Sequence, residues 1–415
     1  MKPAEFSILI ADDERDIIAS VAEHITQLSR RFKQTVHIHS ASSAIEVLDV
    51  LGSQDVDALL LDYHFEGGMN GDEIMDTMSD PFGQKLIILM SGRPPKELEQ
   101  LVIKRHKKLG GRFRFLRKPF ETLELQEMYL QVLDFLGNRP YPCPLAYTHQ
   151  VMTGATTAHD RLRSLKDVVE SLISYSVGVF TADCKRLGCL PAMKVKLANG
   201  PITLGAWLRW LTTAHSCIAS QSGEPFMPEL LQLFSDTTGG ASAVKLLYEF
   251  KNEVRDTELA HWFAREEDWY DRIVERYAGE IQSMFDGFVF TTRYPLLTVE
   301  TIDLPRCLAT FRYSVRSLMG VSGPFPVNSI DTQERLTKGE VFAYRPRGTF
   351  LCLHPVIRFE MCGKCSVRRF FFLEQAAPSK FTYRAHCNHL LERERPGGNQ
   401  DTWFSELPVA LFSSA

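Results

Sequence analysis

The chain has 415 residues, 44% of them hydrophobic and 24% charged, with a formal net charge of −4. That length exceeds a single ordinary core, so two to three domains are expected, and the mild acidity gives no global attraction to nucleic acid. No apolar run approaches the ~20 residues a membrane-crossing helix needs, Met1-Lys2-Pro3-Ala4-Glu5 lacks a leader-like apolar stretch, and nine cysteines, an odd number, do not suit a disulfide framework. The expectation is a cytoplasmic protein without membrane association.

In the first 120 residues, short apolar runs end in polar side chains. Ile8-Leu9-Ile10-Ala11 leads to Asp12 and Asp13, Leu59-Leu60-Leu61 to Asp62, Leu89-Met90 to Ser91, and a further run to Lys118, which precedes Pro119. In an open parallel α/β sheet a ligand site forms at the carboxyl ends of the strands. Singly these residues have ordinary roles, Asp-Asp as a helix cap and Lys-Pro as a turn. The first 140 residues are net acidic and the remainder near neutral, but Lys104, Arg105, Lys107, Lys108, Arg112, Arg114, Arg117 and Lys118 follow one another with no acid between them. That stretch reads either as a pairing face or as a solvated basic helix end.

Turn formers at Gly137-Asn138-Arg139-Pro140-Tyr141-Pro142 mark a boundary. Residues 145–285 read as helical. Leu162, Leu165, Val168, Val169, Leu172 and Ile173 recur at three- and four-residue steps, and amphipathic segments follow at Leu204 to Leu211, Phe226 to Phe234, Val244 toward His261, and Glu266 to Phe285. After Gly287, β-branched and aromatic residues rise, as in Phe288-Val289-Phe290 and Val367 to Leu373, so residues 286–415 read as a small β-rich domain. No helix-turn-helix pattern is evident, which points away from a DNA-binding output.

Phosphoryl transfer to a carboxylate needs an acceptor, a divalent cation to neutralise oxygens, and fixed donors for the developing charge. Taken together and in this order, Asp12, Asp13, Asp62, Ser91 and Lys118 resemble the receiver domain of bacterial response regulators, over residues 5–137. The resemblance implies a flavodoxin-like α/β fold for residues 1–138. It implies that Asp62 is the phosphoacceptor and that Asp12, Asp13 and the backbone carbonyl of His64 hold Mg²⁺. Ser91 and Lys118 would bind the phosphoryl group, Phe115 would be the switch aromatic, and Lys118-Pro119 would be cis. It further implies a cognate histidine kinase as phosphodonor. The chain departs from the family in Glu66-Gly67-Gly68-Met69-Asn70-Gly71, a longer loop after the acceptor.

In the helical segment, Arg255-Asp256 is followed by His261, which resembles the signature of HEPN domains. That resemblance implies a metal-independent ribonuclease, with His261 as general acid–base, Arg255 stabilising charge on the phosphorane and Asp256 orienting the pair. It also implies a site completed across a homodimer, with RNA as substrate. An ordinary ion pair of Arg255 with Glu253 or Glu258 is the plain alternative, because a six-residue step leaves two side chains about 120° apart on a helix.

Cys362-Gly363-Lys364-Cys365 is a knuckle-type Cys-x₂-Cys, followed by His386-Cys387-Asn388-His389. Zinc takes four ligands in a tetrahedron, often as two close pairs, so Cys362, Cys365, Cys387 and either His386 or His389 are candidate ligands for structural Zn²⁺, against a degenerate ribbon with two partly buried thiols. The expectation is therefore a two-component switch with a non-DNA-binding output. That output is either a HEPN-like ribonuclease or a protein- or nucleic-acid-binding module without catalysis, and more remotely a phosphatase or adaptor.

Overall fold

A computed structural model describes residues 5–66, 68–78, 80, 83–92, 95–190, 202–235, 243–254, 267–303, 310–321, 325–345, 348–376, 380–385 and 388–394. The chain divides into two compact units, with the boundary in sequence between Arg139 and Pro140 and with Pro346–Gly348 grouped with the first.

In the first unit, five strands, β1 (Glu5–Ala11), β2 (Thr35–Ala41), β3 (Ala58–Asp62), β4 (Leu86–Ser91) and β5 (Phe113–Arg117), form one sheet in the order β2-β1-β3-β4-β5. All pairings are parallel. Helices α1 (Arg15–Phe32), α2 (Ala44–Ser53), α3 (Gly71–Thr77), α4 (Pro95–Leu109) and α5 (Thr122–Gly137) alternate with the strands. This is the doubly wound, flavodoxin-like order, whose ligand crevice lies at the carboxyl ends next to the switch in strand order.

The central strands β1, β3 and β4 are almost wholly buried because both their faces are covered, whereas the edge strands β2 and β5 are more polar and partly exposed. Alternate residues of β1 point to opposite sides. Ile8 and Ile10 join Val21 and Ile25 of α1 and Leu125, Tyr129 and Val132 of α5. Leu9 and Ala11 join Val47 of α2 and Ile74 of α3, together with Leu59, Leu61, Ile87 and Leu89. Full burial of each such side chain stabilises by about 1.5–3 kcal/mol, and the two layers hold the strand ends in place.

The second unit begins with helices α6 (Cys143–Gly154), α7 (Ala158–Arg186), α8 (Leu204–Ala219), α9 (Pro228–Phe234), α10 (Ala243–Phe250) and α11 (Glu267–Gly287). Two antiparallel sheets follow. Strands β6 (Leu296–Asp303), β7 (Phe311–Ser317), β8 (Val327–Thr332), β9 (Val341–Arg345) and β10 (Thr349–Cys352) pair in the order β10-β9-β6-β7-β8. Strands β11 (Ile357–Met361), β12 (Arg368–Ala376), β13 (Lys380–Ala385) and β14 (Leu390–Glu394) pair in sequence.

Helix α7 is capped by the Thr157 hydroxyl and is buried on every side from Ser171 to Cys184, as expected of a core helix rather than a surface one. Its apolar residues share one cluster with Ile357, Phe359, Phe370, Phe371 and Tyr383 of the second sheet. Gly178 permits that contact: a Cβ there would lie 2.7 Å from Cδ1 of Ile357. Helices and antiparallel strands thus pack around a common interior. Among the described residues no helix is long and apolar enough to cross a membrane.

Candidate phosphoacceptor site

The carboxyl ends of β1, β3, β4 and β5 bring Asp12, Asp13, Asp62, Ser91 and Lys118 to one edge of the parallel sheet. Asp62, the last residue of β3, is 5% exposed and Asp12 is fully buried. The Lys118 ammonium bridges them, with Nζ 2.6 Å from Asp12 Oδ2 and 2.7 Å from Asp62 Oδ1. The other Asp62 oxygen accepts a hydrogen bond from the His64 backbone N–H at 2.7 Å. Asp12 Oδ1 accepts from the Glu14 N–H at 3.1 Å, and Asp13 Oδ2 from the Glu66 N–H at 3.0 Å. The Lys118 N–H donates to the Ser91 carbonyl at 2.9 Å, so β5 enters the site hydrogen-bonded to the end of β4. The Lys118-Pro119 peptide is cis. Ser91 is buried, while Phe115 in β5 is half-buried against the apolar layer of α2, α3 and α4.

Two carboxylates share one ammonium, and the electrostatics follow from that imbalance. Burial pushes the Asp62 carboxyl above the usual carboxylate range, against the lowering effect of Lys118 and the His64 N–H, while the Asp12 charge adds to the rise. For Lys118, burial works against the charge, but its hydrogen bonds to Asp12 and Asp62 outweigh it and hold the ammonium above the ordinary lysine value. Carboxylate oxygens of Asp12, Asp13 and Asp62 all lie within 4.8 Å of one another. This hard, anionic, oxygen-only donor set suits Mg²⁺, which binds through a few carboxylates and retains waters.

Sequence reasoning missed two features of this unit. The first is Gly71, which opens α3: a Cβ there would lie 2.5 Å from the Asp62 carbonyl oxygen. The Gly71 N–H donates to Tyr63 O at 2.8 Å, and Asn70 and Glu73 form a capping box. The loop after the acceptor therefore returns directly against it, and Gly71 in Asn-Gly-Asp was the available signal. The second is the destination of the basic stretch. Arg105 is 1% exposed. It donates to Asp72 and, through NH1 and NH2 at 2.9 Å each, to both oxygens of Asp76. Lys108 also binds Asp76, and Arg112 binds Asp80 at 2.7 Å. Three of its eight basic residues, Arg105, Lys108 and Arg112, thus join α4 and the turn before β5 to the acids of α3 and the loop beyond it, while Lys104, Lys107 and Arg117 are exposed.

In the second unit, Cys362 Sγ and Cys365 Sγ lie 3.3 Å and 3.0 Å from Nδ1 of His389. The backbone N–H groups of Cys365 and Lys364 hold the Cys362 thiol well below the usual thiol range. Cys387 and His386, the other expected zinc ligands, lie outside the described residues, as do Arg255, Asp256 and His261.

The site defines an acidic cluster with a bridging lysine at the carboxyl edge of a flavodoxin-like sheet. Several solved structures are similar to part of this chain. A CheY-like receiver domain protein from Methanospirillum hungatei JF-1 is 20% identical, covering 31% of this chain and 94% of its own, at a TM-score of 0.27. The chemotaxis response regulator CheY4 of Vibrio cholerae is 19% identical over 31% of this chain and 99% of its own, at 0.25. The receiver domain of NtrX from Brucella abortus is 23% identical over 31% and 98%, also at 0.25. No family model and no curated protein matches the chain.

Proposed function

We propose that the first unit is the receiver of a two-component response regulator and that Asp62 is its phosphoacceptor. The observation that carries this reading is the Lys118 ammonium bridging Asp12 and Asp62 at the carboxyl ends of parallel strands. An Asp62 carboxylate oxygen attacks phosphorus of a kinase phosphohistidine. The P–O bond forms, the P–N bond breaks, and the departing imidazole takes up a proton. Lys118 then pairs with the phosphoryl oxygens as a point charge, and the Ser91 hydroxyl donates to one of them, with Phe115 following inward. Asp12, Asp13 and the His64 carbonyl are the protein ligands for Mg²⁺, which supplies neutralisation of phosphoryl charge when bound.

The second unit is then the output, and its ribonuclease reading, with Arg255, Asp256 and His261 acting on RNA across a homodimer, rests on the sequence alone. The test is incubation of the full chain with acetyl phosphate and Mg²⁺, read by intact mass and by cleavage of labelled RNA. Phosphate uptake that is lost in Asp62→Ala and on chelation supports the receiver. Uptake that persists in Asp62→Ala overturns it. Cleavage that requires His261 assigns a nuclease output, and its absence from a protein that takes up phosphate leaves a binding output.

A further inference from the structure

The described part of the second unit contains a donor set of the opposite chemical kind to the acidic cluster. The turn from β11 to β12 carries Cys362 and Cys365, and the turn from β13 to β14 carries His389. Both turns lie at the same end of the antiparallel sheet β11-β12-β13-β14. The first is closed by Cys362 N–H to Val367 O and Ser366 N–H to Cys362 O, each 2.9 Å. The second is closed by Asn388 N–H to Ala385 O at 2.8 Å. Ser366 (φ 55°) and Asn388 (φ 59°) take left-handed backbone conformations beside the ligand residues.

The donor atoms lie slightly closer together than ligands around one ion, so a small outward shift would admit it. Zinc–sulfur and zinc–imidazole bonds of about 2.3 Å and 2.0–2.1 Å at tetrahedral angles put sulfur and nitrogen about 3.6 Å apart. Here Nδ1 of His389 is 3.3 Å and 3.0 Å from the two sulfurs, and the three donor atoms all lie within 4.8 Å. The backbone N–H groups of Cys365 and Lys364 point at Cys362 Sγ, the arrangement that stabilises a thiolate. Two sulfurs and one imidazole nitrogen select zinc over Mg²⁺ or Ca²⁺, which take oxygen.

We propose that Cys362, Cys365 and the Nδ1 of His389 bind one Zn²⁺ ion, which fastens the outer hairpin β13-β14 to the turn between β11 and β12. Strand β14 is the last strand of its sheet among the described residues and is largely exposed. Beyond its pairing with β13 it is held by the cluster at its start, by Leu391 against the core, and by Arg393, which donates to Glu360 of β11. The chain would therefore keep two divalent ions apart by donor hardness, an oxygen site for Mg²⁺ in one unit and a sulfur–nitrogen site for zinc in the other.

The experiment uses the full chain purified under reducing conditions without chelators. Elemental analysis should give close to one zinc per chain, and exchange for Co²⁺ should give thiolate-to-cobalt charge-transfer bands and the intense visible absorption of a tetrahedral site. Cys362→Ser and His389→Ala should each weaken zinc binding by more than about 100-fold in chelator competition, because even partners one bond removed from a metal are worth 10–100-fold. Cys365→His, which keeps the ligand count, should retain the ion. Chelation should expose β14 to protease. A zinc-free, folded protein whose Co²⁺ spectrum lacks thiolate bands overturns the proposal, as does full zinc retention in Cys362→Ser or a Cys362–Cys365 disulfide formed under these conditions. Should the variants fail to fold, the metal content and cobalt spectrum of the parent chain decide it alone.

Discussion

Replacing Lys118 with methionine tests the electrostatic reading of the acidic site most directly. The side chains of Lys118, Asp12 and Asp62 are 12%, 0% and 7% exposed, and the ammonium lies 2.6 Å and 2.7 Å from the two carboxylates. Methionine approximates the volume of the lysine stem but leaves two buried carboxylates, with Asp13 nearby, and no cation between them. Breaking a buried pair in this way costs about 3–5 kcal/mol. At about 3–6 °C per kcal/mol for a unit of this size, the first transition in a melt with EDTA should fall by roughly 10–30 °C. Mg²⁺ should then rescue the variant by more than it stabilises the parent at the same concentration, because the ion no longer competes with an ammonium for the same oxygens. Saturation to about 100 times Kd returns about 2.7 kcal/mol. Differential scanning calorimetry with and without Mg²⁺ measures all four states. A variant as stable as the parent in EDTA, or equal Mg²⁺ increments in both, would refute the shared-ammonium account.

Asp62→Asn should raise the Tm of the metal-free protein at pH 7. Burial holds the Asp62 carboxyl above its unfolded value, so the stability it contributes is complete below that value and is lost as pH rises through the folded one. A Tm–pH profile of parent and variant should converge in acid and diverge toward neutrality, and parallel profiles would contradict this. Gly71→Ala should slow labelling of Asp62 by acetyl phosphate and destabilise the first unit by about 1–3 kcal/mol, since the new Cβ would lie 2.5 Å from a backbone oxygen that must move; an unchanged labelling rate would count against the close return of the loop. Gly178→Val should lower the melting of the second unit by about 1–3 kcal/mol, with helical and sheet signals shifting together in circular dichroism, because the added atoms press on Ile357. Loss of sheet signal at an unchanged helix transition would mean that the two layers fold separately.

The legible parts of this molecule are those whose partners are announced locally. The strands of the first unit read clearly because short apolar runs end abruptly in a polar residue, and four such endings fall in order at Asp12, Asp62, Ser91 and Lys118. Helix α7 was legible from its periodicity, and the change of texture near Gly287 agrees with the start of the sheets at Leu296. What stayed hidden depends on pairings distant in sequence. The acids that bind Arg105 precede it by 29 and 33 residues, so the run from Lys104 to Lys118 looked uncompensated. Gly71 looked like an ordinary turn residue because its constraint is the carbonyl of another segment. The approach of α7 to β11 is written only in a missing side chain at Gly178.

The contact between Gly178 and Ile357 also sets an order of events during synthesis. Every strand and helix of the first unit is complete by Gly137, so its cores can close while the rest of the chain is still being made. Helix α7 has no such early closure, because the strands that cover part of it begin at Thr349, and the one that faces Gly178 begins at Ile357. At about 5–20 residues per second, the roughly 180 intervening residues take on the order of 10–40 s to emerge. For that interval an apolar helix must be shielded by its helical neighbours alone or by a chaperone. Slow codons or arrest between α7 and β11 would therefore be expected to lower the soluble yield of the whole chain while leaving the first unit intact.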